Sequence, residues 1–154
     1  MANVFFTGNA KHALDPKGRV TIPNEFRELL GESFTLGMNN DFTAAALYPL
    51  ESWKEVENEL SRIPRTDRRA REYARLILGN SFTNCRMDGQ GRVLIPQTLR
   101  DDVKLSKDIR FVGAGDCLEI WDEETYLTRS GATKSNIVEL EEYVLERYFT
   151  ENKP

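Results

Sequence analysis

Two nine-residue stretches decide the fold, DPKGRVTIP at residues 15–23 and DGQGRVLIP at residues 88–96. At this offset of 73 residues, from position 15 to position 88, seven of the thirteen positions in 15–27 are identical. The last of these identities pairs Arg27 with Arg100. Self-similarity at a fixed offset is the sequence signature of a repeated structural unit. The chain is therefore predicted to contain two copies of one unit.

The same offset extends the match well beyond the two motifs. It pairs Leu36 with Ile109, Met38 with Phe111, Leu47 with Ile120, Tyr48 with Trp121, Glu51 with Glu124 and Trp53 with Tyr126. Apolar alternation and turn residues predict, in each unit, a strand, a tight turn, a strand, a short helix and two further strands. Because a unit of this size is too small to bury a core of its own, the two units are expected to share one.

The motif itself predicts a reversal of the chain. Asp15 at the first position, Pro16 at the second and Gly18 at the fourth are the preferences of a type I turn, and Asp88 with Gly91 repeats the outer two. We assign Asp15, Gly18, Asp88 and Gly91 the role of orienting the two turns.

The residues after the first turn predict a strand and then a short helix. Val20 and Ile22 alternate with Arg19 and Thr21, which is typical of a half-buried strand whose other face is polar. Pro23 suits the first turn of a helix, where a missing amide hydrogen matters least.

These patterns divide the chain into a first repeat at 7–54, connecting helices at 55–80, a second repeat at 83–126 and a C-terminal helix at 134–151. The breaker Pro64 separates the apolar stripes of the connecting helices. Residues 128–136, rich in Ser, Gly, Thr and Lys, are expected to form a linker.

Composition narrows the function classes. Cys85 and Cys117 form no CxxC pair, His12 is the single histidine, and no GxSxG, P-loop or GxGxxG motif occurs. We therefore expect no enzyme, no bound metal and no cofactor, with both thiols buried and His12 on the surface. The longest uncharged apolar stretch, residues 42–50, is too short to span a bilayer, so a cytoplasmic protein is expected.

The charge pattern is ambiguous. A net charge of −4 argues against a nucleic-acid partner, but residues 1–79 carry eleven basic and eleven acidic residues, so the acidic excess lies entirely in the remainder. The densest basic run consists of Arg62, Arg65, Arg68, Arg69, Arg71 and Arg75. This run could bind DNA, form a solvated helix face or make ion pairs at a subunit interface.

The paired motifs resemble the two halves of the MraZ family. The resemblance also includes Phe6-Thr7-Gly8, Leu47-Tyr48-Pro49 with Trp53, the region around Leu76, Leu78 and Gly79, and Leu118-Glu119-Ile120-Trp121. It implies an α+β, mainly β, fold: a double swapped-hairpin β-barrel like that of the AbrB-like regulators, formed by two tandem repeats in one chain. It also implies a transcriptional regulator, usually a repressor of the cell-division and cell-wall gene cluster. Such a protein forms a ring-shaped homo-oligomer, binds spaced repeats in double-stranded promoter DNA and is nucleoid-associated. The resemblance implies neither a membrane partner nor a small-molecule substrate.

The resemblance places the DNA face on the turn and the strand that follows it. It implies contacts from Lys11, Lys17, Arg19 and Thr21, joined by Arg92 in the second repeat. An arginine can grip a phosphate or a guanine through two parallel donors, whereas lysines position the protein on phosphates without reading sequence. Gln90 replaces Lys17 and Asn84 replaces Lys11 in the second repeat, which puts equal contact by both halves in question.

Other interpretations remain open at this stage. Arg19 and Arg92 could instead form salt bridges with Asp15 and Asp88 that only tie the hairpins together. The whole chain could be an antitoxin-like module that binds DNA and a toxin, or a scaffold whose ring is its function. An enzyme would need Asp15 and Asp88 to meet as a metal-binding pair for phosphodiester cleavage.

Overall fold

The computed structural model describes residues 4–150, which divide into two compact units between Glu123 and Glu124. The strands are β1 Asn9–Ala13, β2 Arg19–Thr21, β3 Phe34–Met38, β4 Ala45–Pro49, β5 Phe82–Cys85, β6 Arg92–Leu94, β7 Asp108–Gly113 and β8 Leu118–Asp122. The helices are α1 Asn24–Leu30, α2 Leu50–Ser61, α3 Arg68–Gly79, α4 Gln97–Asp102, α5 Glu123–Ser135 and α6 Ile137–Tyr148. Residue 151, the end of the predicted C-terminal segment, lies outside the described residues.

The two repeats exchange strands. One antiparallel sheet has the order β1, β7, β8, β4, β3, β5, and a separate two-stranded ribbon pairs β2 with β6. The first strand of each repeat therefore pairs with the other repeat: β1 with β7, and β5 with β3. This exchange confirms the predicted α+β fold of two tandem swapped halves.

A local twofold relation is visible in the strand register. Val20 lies opposite Val93 in the ribbon, and Ala46 lies opposite Glu119 in the sheet. Each pair joins the same position of the two repeats, as the offset of 73 residues requires. In an antiparallel pair, a position that faces its own equivalent marks a twofold axis, so the ribbon and the centre of the sheet are both crossed by the axis that relates the repeats.

One hydrophobic core serves both repeats, as expected. Its fully buried members include matched pairs such as Ile22 with Ile95 and Leu36 with Ile109. Burying an aliphatic side chain of this size stabilises a fold by about 1.5–3 kcal/mol. Because each repeat supplies about half of the cluster, neither repeat would retain a closed core without the other.

The connecting helices cover the outer face of the sheet near β4. Trp53 of α2 packs on Tyr48 with ring centroids 5.3 Å apart, in a small cluster that also holds Ala46 and Cys117. The Asp67 side chain caps α3 by accepting a hydrogen bond from the Ala70 amide at 3.1 Å. Tyr48 and Trp53 are therefore part of the hydrophobic core.

The predicted linker at 128–136 is wrong, because α5 runs through it to Ser135. Its small polar residues are accommodated by hydroxyls that bond back to the preceding turn. The Thr133 hydroxyl donates to the Arg129 carbonyl at 3.0 Å, and the Ser135 hydroxyl donates to the Gly131 carbonyl at 3.1 Å. Within residues 4–150, no helix is both long and apolar enough to cross a bilayer.

Candidate nucleic-acid interface

The first turn is built around the Asp15 side chain. Its Oδ1 accepts hydrogen bonds from the Lys17 amide at 2.9 Å and the Arg19 amide at 2.8 Å, while its Oδ2 accepts one from Arg19 Nε at 2.8 Å. The Gly18 amide closes the turn by donating to the Asp15 carbonyl at 2.9 Å. One carboxylate thus fixes both the backbone of the turn and the direction of the Arg19 side chain.

The second turn repeats this geometry bond for bond. Oδ1 of Asp88 accepts from the amides of Gln90 and Arg92, both at 2.9 Å, and its Oδ2 accepts from Arg92 Nε at 2.9 Å. The Gly91 amide donates to the Asp88 carbonyl, again at 2.9 Å. The salt-bridge interpretation is therefore observed in both repeats, always within one turn.

Both turn carboxyls are held in their charged form. The backbone amide of Arg19 is the main cause of a lowered pKa at Asp15, and the amide of Arg92 plays the same part at Asp88. The side chains of the two arginines lower these pKa values further. At neutral pH each arginine consequently faces a carboxylate that accepts from it.

Only one nitrogen of each arginine is used in this way. The side chain of Arg19 is 32% exposed and that of Arg92 is 30% exposed. A guanidinium carries five N–H donors in a planar fork. Among residues 4–150, no acceptor forms a hydrogen bond with the Nη atoms of either arginine, so four donors remain available on each.

The β2–β6 ribbon places both arginines on one exposed face. Val20 and Val93 point into the core, so alternation turns their neighbours outward. Arg19 lies opposite Leu94, and Thr21 lies opposite Arg92. Arg19 and Arg92 are therefore diagonal neighbours, about 7–8 Å apart at the backbone. Leu94, which is 57% exposed, is a member of this face that sequence reasoning missed.

Two further arginines lock the turns together across the twofold axis. Gly18 adopts φ +87°, and a Cβ placed on it would lie 2.5 Å from Cζ of Arg100, in the other repeat. Gly91, at φ +78°, is covered in the same way by the guanidinium of Arg27. Glycine is thus needed at both positions for the left-handed backbone and for the space that the arginine fills.

These covering arginines are anchored at fixed points. Arg27 Nε donates to the Ile22 carbonyl at 2.7 Å, and Arg100 Nε donates to the Ile95 carbonyl at 2.8 Å. Their identity at the repeat offset was the only sequence signal for this role. The sequence shows this identity but does not predict the role of the two residues.

Lys11 and Lys17 differ in their surroundings. Lys17 is exposed at the tip of its turn, whereas Lys11 lies on β1 opposite Arg110. Arg110 binds Glu123 through two hydrogen bonds of 2.7 and 2.8 Å and is the main cause of a lowered pKa at Glu123, with a smaller contribution from Lys11. The charge of Lys11 is therefore partly compensated by a neighbouring carboxylate.

The equivalent edge of the second repeat has a different shape. Asn84, at the position of Lys11, has φ +60°, and the pairing of β5 with β3 shifts register between Phe34 and Leu36. His12, expected on the surface, is half-buried and packs edge-on against the core ring of Phe111 with centroids 5.4 Å apart. The structure therefore brings Arg19, Thr21 and Arg92 onto the ribbon and leaves Lys11 on a separate strand.

Within residues 4–150, the cysteines and acids do not converge on a common site. Cys85 and Cys117 are both free, and burial raises the pKa of each thiol. Cys117 is buried as expected, but Cys85 is only half-buried. In the part of the chain that the structure describes, no three His, Cys, Asp or Glu side chains converge to hold a metal ion.

Fold and interface together define a duplicated swapped-hairpin protein whose exposed ribbon carries two pre-oriented arginines. A family model described as "MraZ protein, putative antitoxin-like" matches residues 5–76 and 80–140. A protein of Thermoanaerobacter sp. (strain X514), named transcriptional regulator MraZ, is 40% identical over 139 residues, which are 89% of this chain and 94% of the relative. One of the same name from Lactiplantibacillus plantarum is 39% identical over 141 residues, 92% of this chain and 99% of the relative. The chain belongs to the MraZ family, which confirms the resemblance.

Proposed function

We propose that this protein is a sequence-specific DNA-binding transcriptional regulator that acts as a ring-shaped homo-oligomer on spaced promoter repeats. Its regulated promoter is that of the cell-division and cell-wall gene cluster, where it acts as a repressor in the cytoplasm, bound to the nucleoid. The names of the relatives support regulation of transcription. The observation that carries the DNA contact is the exposed β2–β6 ribbon, with Arg19 and Arg92 held on one face.

A two-stranded ribbon is one of the elements that proteins use for base recognition. A two-stranded β-ribbon enters the major groove of B-form DNA, and bidentate contact with guanine is the commonest specific contact of arginine. Asp15 occupies Nε of Arg19 and leaves the Nη edge free for such a contact. Because the carboxylate already fixes the side chain, binding costs less rotamer entropy than for a freely rotating arginine.

The neighbouring residues have positioning roles. Lys17 at the turn tip binds a backbone phosphate, and Lys11 on β1 adds a second, weaker phosphate contact because Glu123 already faces it. The Thr21 hydroxyl, on the outer face of β2, contacts either a base edge or a phosphate. Asp15, Gly18, Asp88 and Gly91 orient these groups without touching DNA.

Self-association explains how an acidic chain binds an anionic polymer. The chain carries a net charge of −4, so one copy offers only a small basic surface. In an assembly, once one ribbon has bound, the next is held near its own repeat, and linked contacts gain effective concentration. A ring of copies would thus match a promoter that repeats its target sequence.

Footprinting on the DNA upstream of the protein's own gene tests this proposal. Wild type, Arg19→Ala and Arg92→Ala are compared at equal concentration, with Arg129→Ala on the exposed α5 helix as the matched control. Protection should be lost with Arg19→Ala and kept with the control. Unchanged protection by Arg19→Ala would contradict the proposal. An assembled wild type without DNA affinity would favour the scaffold instead.

A further inference from the structure

The C-terminal helix α6 leaves a large apolar surface uncovered. Every residue from 131 to 149 is exposed. Seven large apolar side chains of α6 are between 41% and 67% exposed: Ile137, Val138, Leu140, Tyr143, Val144, Leu145 and Tyr148. A twelve-residue helix is marginal in water and gains its stability from packing. We therefore expect a partner to cover this surface.

The charges on α6 specify the kind of partner. The helix carries four glutamates and one arginine, a net charge of −3, and the arginine, Arg147, stacks on the Tyr143 ring at 5.0 Å. Glu141 lies inside the apolar face, because the residues three and four positions from it are Ile137, Val138, Val144 and Leu145. A partner that covers these apolar residues must also accept the Glu141 carboxylate. A basic surface with exposed apolar groups would do so.

Helix α3 offers such a surface in the same chain. It carries four arginines and one glutamate, a net charge of +3, on an exposed side with a shallow depression lined by Arg65, Arg68, Arg69, Arg71, Glu72 and Arg75. Among residues 4–150, none of the α3 arginines forms an ion pair. Tyr73, Leu76 and Leu78 of the same helix are about half exposed. The two helices thus show the same mixture of groups with opposite charge.

We propose that α6 of one copy docks on α3 of a second copy. The contact joins two different surfaces, so each copy can bind one neighbour through α6 and another through α3. Contacts of this head-to-tail kind close into rings when the rotation between copies permits. This inference rests on the self-association in the proposed function and assigns its interface. DNA is the less favoured ligand of α3, because exposed apolar side chains and Glu72 contribute nothing to phosphate binding.

Charge reversal on each helix tests the interface. One variant carries Arg71→Glu with Arg75→Glu on α3, and the other carries Glu141→Arg with Glu142→Arg on α6. Opposing like charges across an interface should weaken association by ~100-fold or more, so each variant should sediment as a smaller species than wild type. The control, Lys54→Glu with Glu57→Arg on exposed positions of α2, should keep the wild-type size.

Mixing the two variants gives the decisive result. Each surface then meets a partner of opposite charge, so an equimolar mixture should regain the wild-type mass, as should one chain carrying all four changes. Such recovery would also show that both variants are folded. Single variants that keep the wild-type size, or a mixture that stays small, would overturn the proposal. If α6 docked on its own chain, the charge reversals would leave the size of the assembly unchanged. The same measurement therefore distinguishes this alternative.

Two further outcomes separate this inference from the proposed function. A wild type that is monomeric would refute self-association itself, while the Arg19 footprint would still report DNA binding. The two variants, both dissociated, are then compared by the ratio of their affinity for a single labelled DNA repeat to their affinity for an unrelated duplex of the same length, because the two chains differ in net charge. Equal ratios are expected, whereas a ratio reduced only by Arg71→Glu with Arg75→Glu would assign α3 to DNA and overturn the docking.

Discussion

The two turns have the same hydrogen bonds but different exposed side chains beside them. The hydrogen bonds around Asp15 and Asp88 agree within 0.1 Å, and each turn is covered by an arginine of the other repeat. The side chains beside them differ: Gln90 replaces Lys17, and Leu94 replaces Thr21. The residues that hold each turn and the arginine that follows it are thus duplicated, whereas the flanking residues Lys17 and Thr21 are not. The first repeat should dominate binding.

The largest effect that would sharpen this contrast is expected from the ribbon arginines. Arg19→Ala should cost about 1–3 kcal/mol of binding free energy at each site, the value of one bidentate base contact. Arg92→Ala should cost less, because its repeat lacks the accompanying lysine. Fluorescence anisotropy with a labelled single repeat measures both. Equal losses would mean that both halves contact DNA alike. As a control, both variants must sediment with the same mass as wild type.

The turn glycines should instead respond equally. Gly18→Ala and Gly91→Ala should each lower the free energy of unfolding by at least about 1–2 kcal/mol, because both residues have left-handed backbones. Displacement of the covering arginine adds to this loss. Urea unfolding of the two variants tests the equality, with Gly79→Ala as control, since a Cβ at Gly79 meets nothing within 4 Å. Clearly unequal losses of unfolding free energy would mean that the two turns are not structurally equivalent.

The turn tips predict a smaller, salt-dependent difference. Lys17→Ala should reduce the slope of log affinity against log salt by about 0.9, the contribution of one phosphate contact. The opposite change, Gln90→Lys, should increase the slope by a similar amount if the second turn also reaches the backbone. Titration from low to moderate salt measures both slopes. An unchanged slope for Lys17→Ala would remove that residue from the interface.

The smallest effect concerns pH. The pKa values of Asp15 and Asp88 lie below their ordinary value of 3.8 in the folded protein, so each ionised carboxylate stabilises the fold above that pH. This contribution is lost as the pH falls through the lowered values. Asp15→Asn and Asp88→Asn should therefore each lose less stability than wild type between pH 5 and pH 3. Parallel urea midpoints for wild type and variants would contradict this.

Sequence reasoning succeeded where the physics is local. Asp15 and Gly18 specify their turn through bonds to residues no more than four positions away, so the motif alone predicts it. It failed at 128–136, where Ser, Gly and Thr suggested a linker but hydroxyl bonds to the preceding turn keep the segment helical. It also could not predict the contact of the half-buried His12 with Phe111, because that contact depends on a strand about a hundred residues away.

The sequence by itself determined that there are two equivalent units, that each bends at a glycine-containing turn, and that an arginine follows each turn. Only the tertiary structure decided which copy of each element meets which. Because the two repeats have similar strands, β1 could pair within its own repeat or with the other repeat. The local sequence pattern does not distinguish these two pairings. The shared core favours the exchange, which brings Arg27 over Gly91 and Arg100 over Gly18 and places Arg19 and Arg92 on one ribbon.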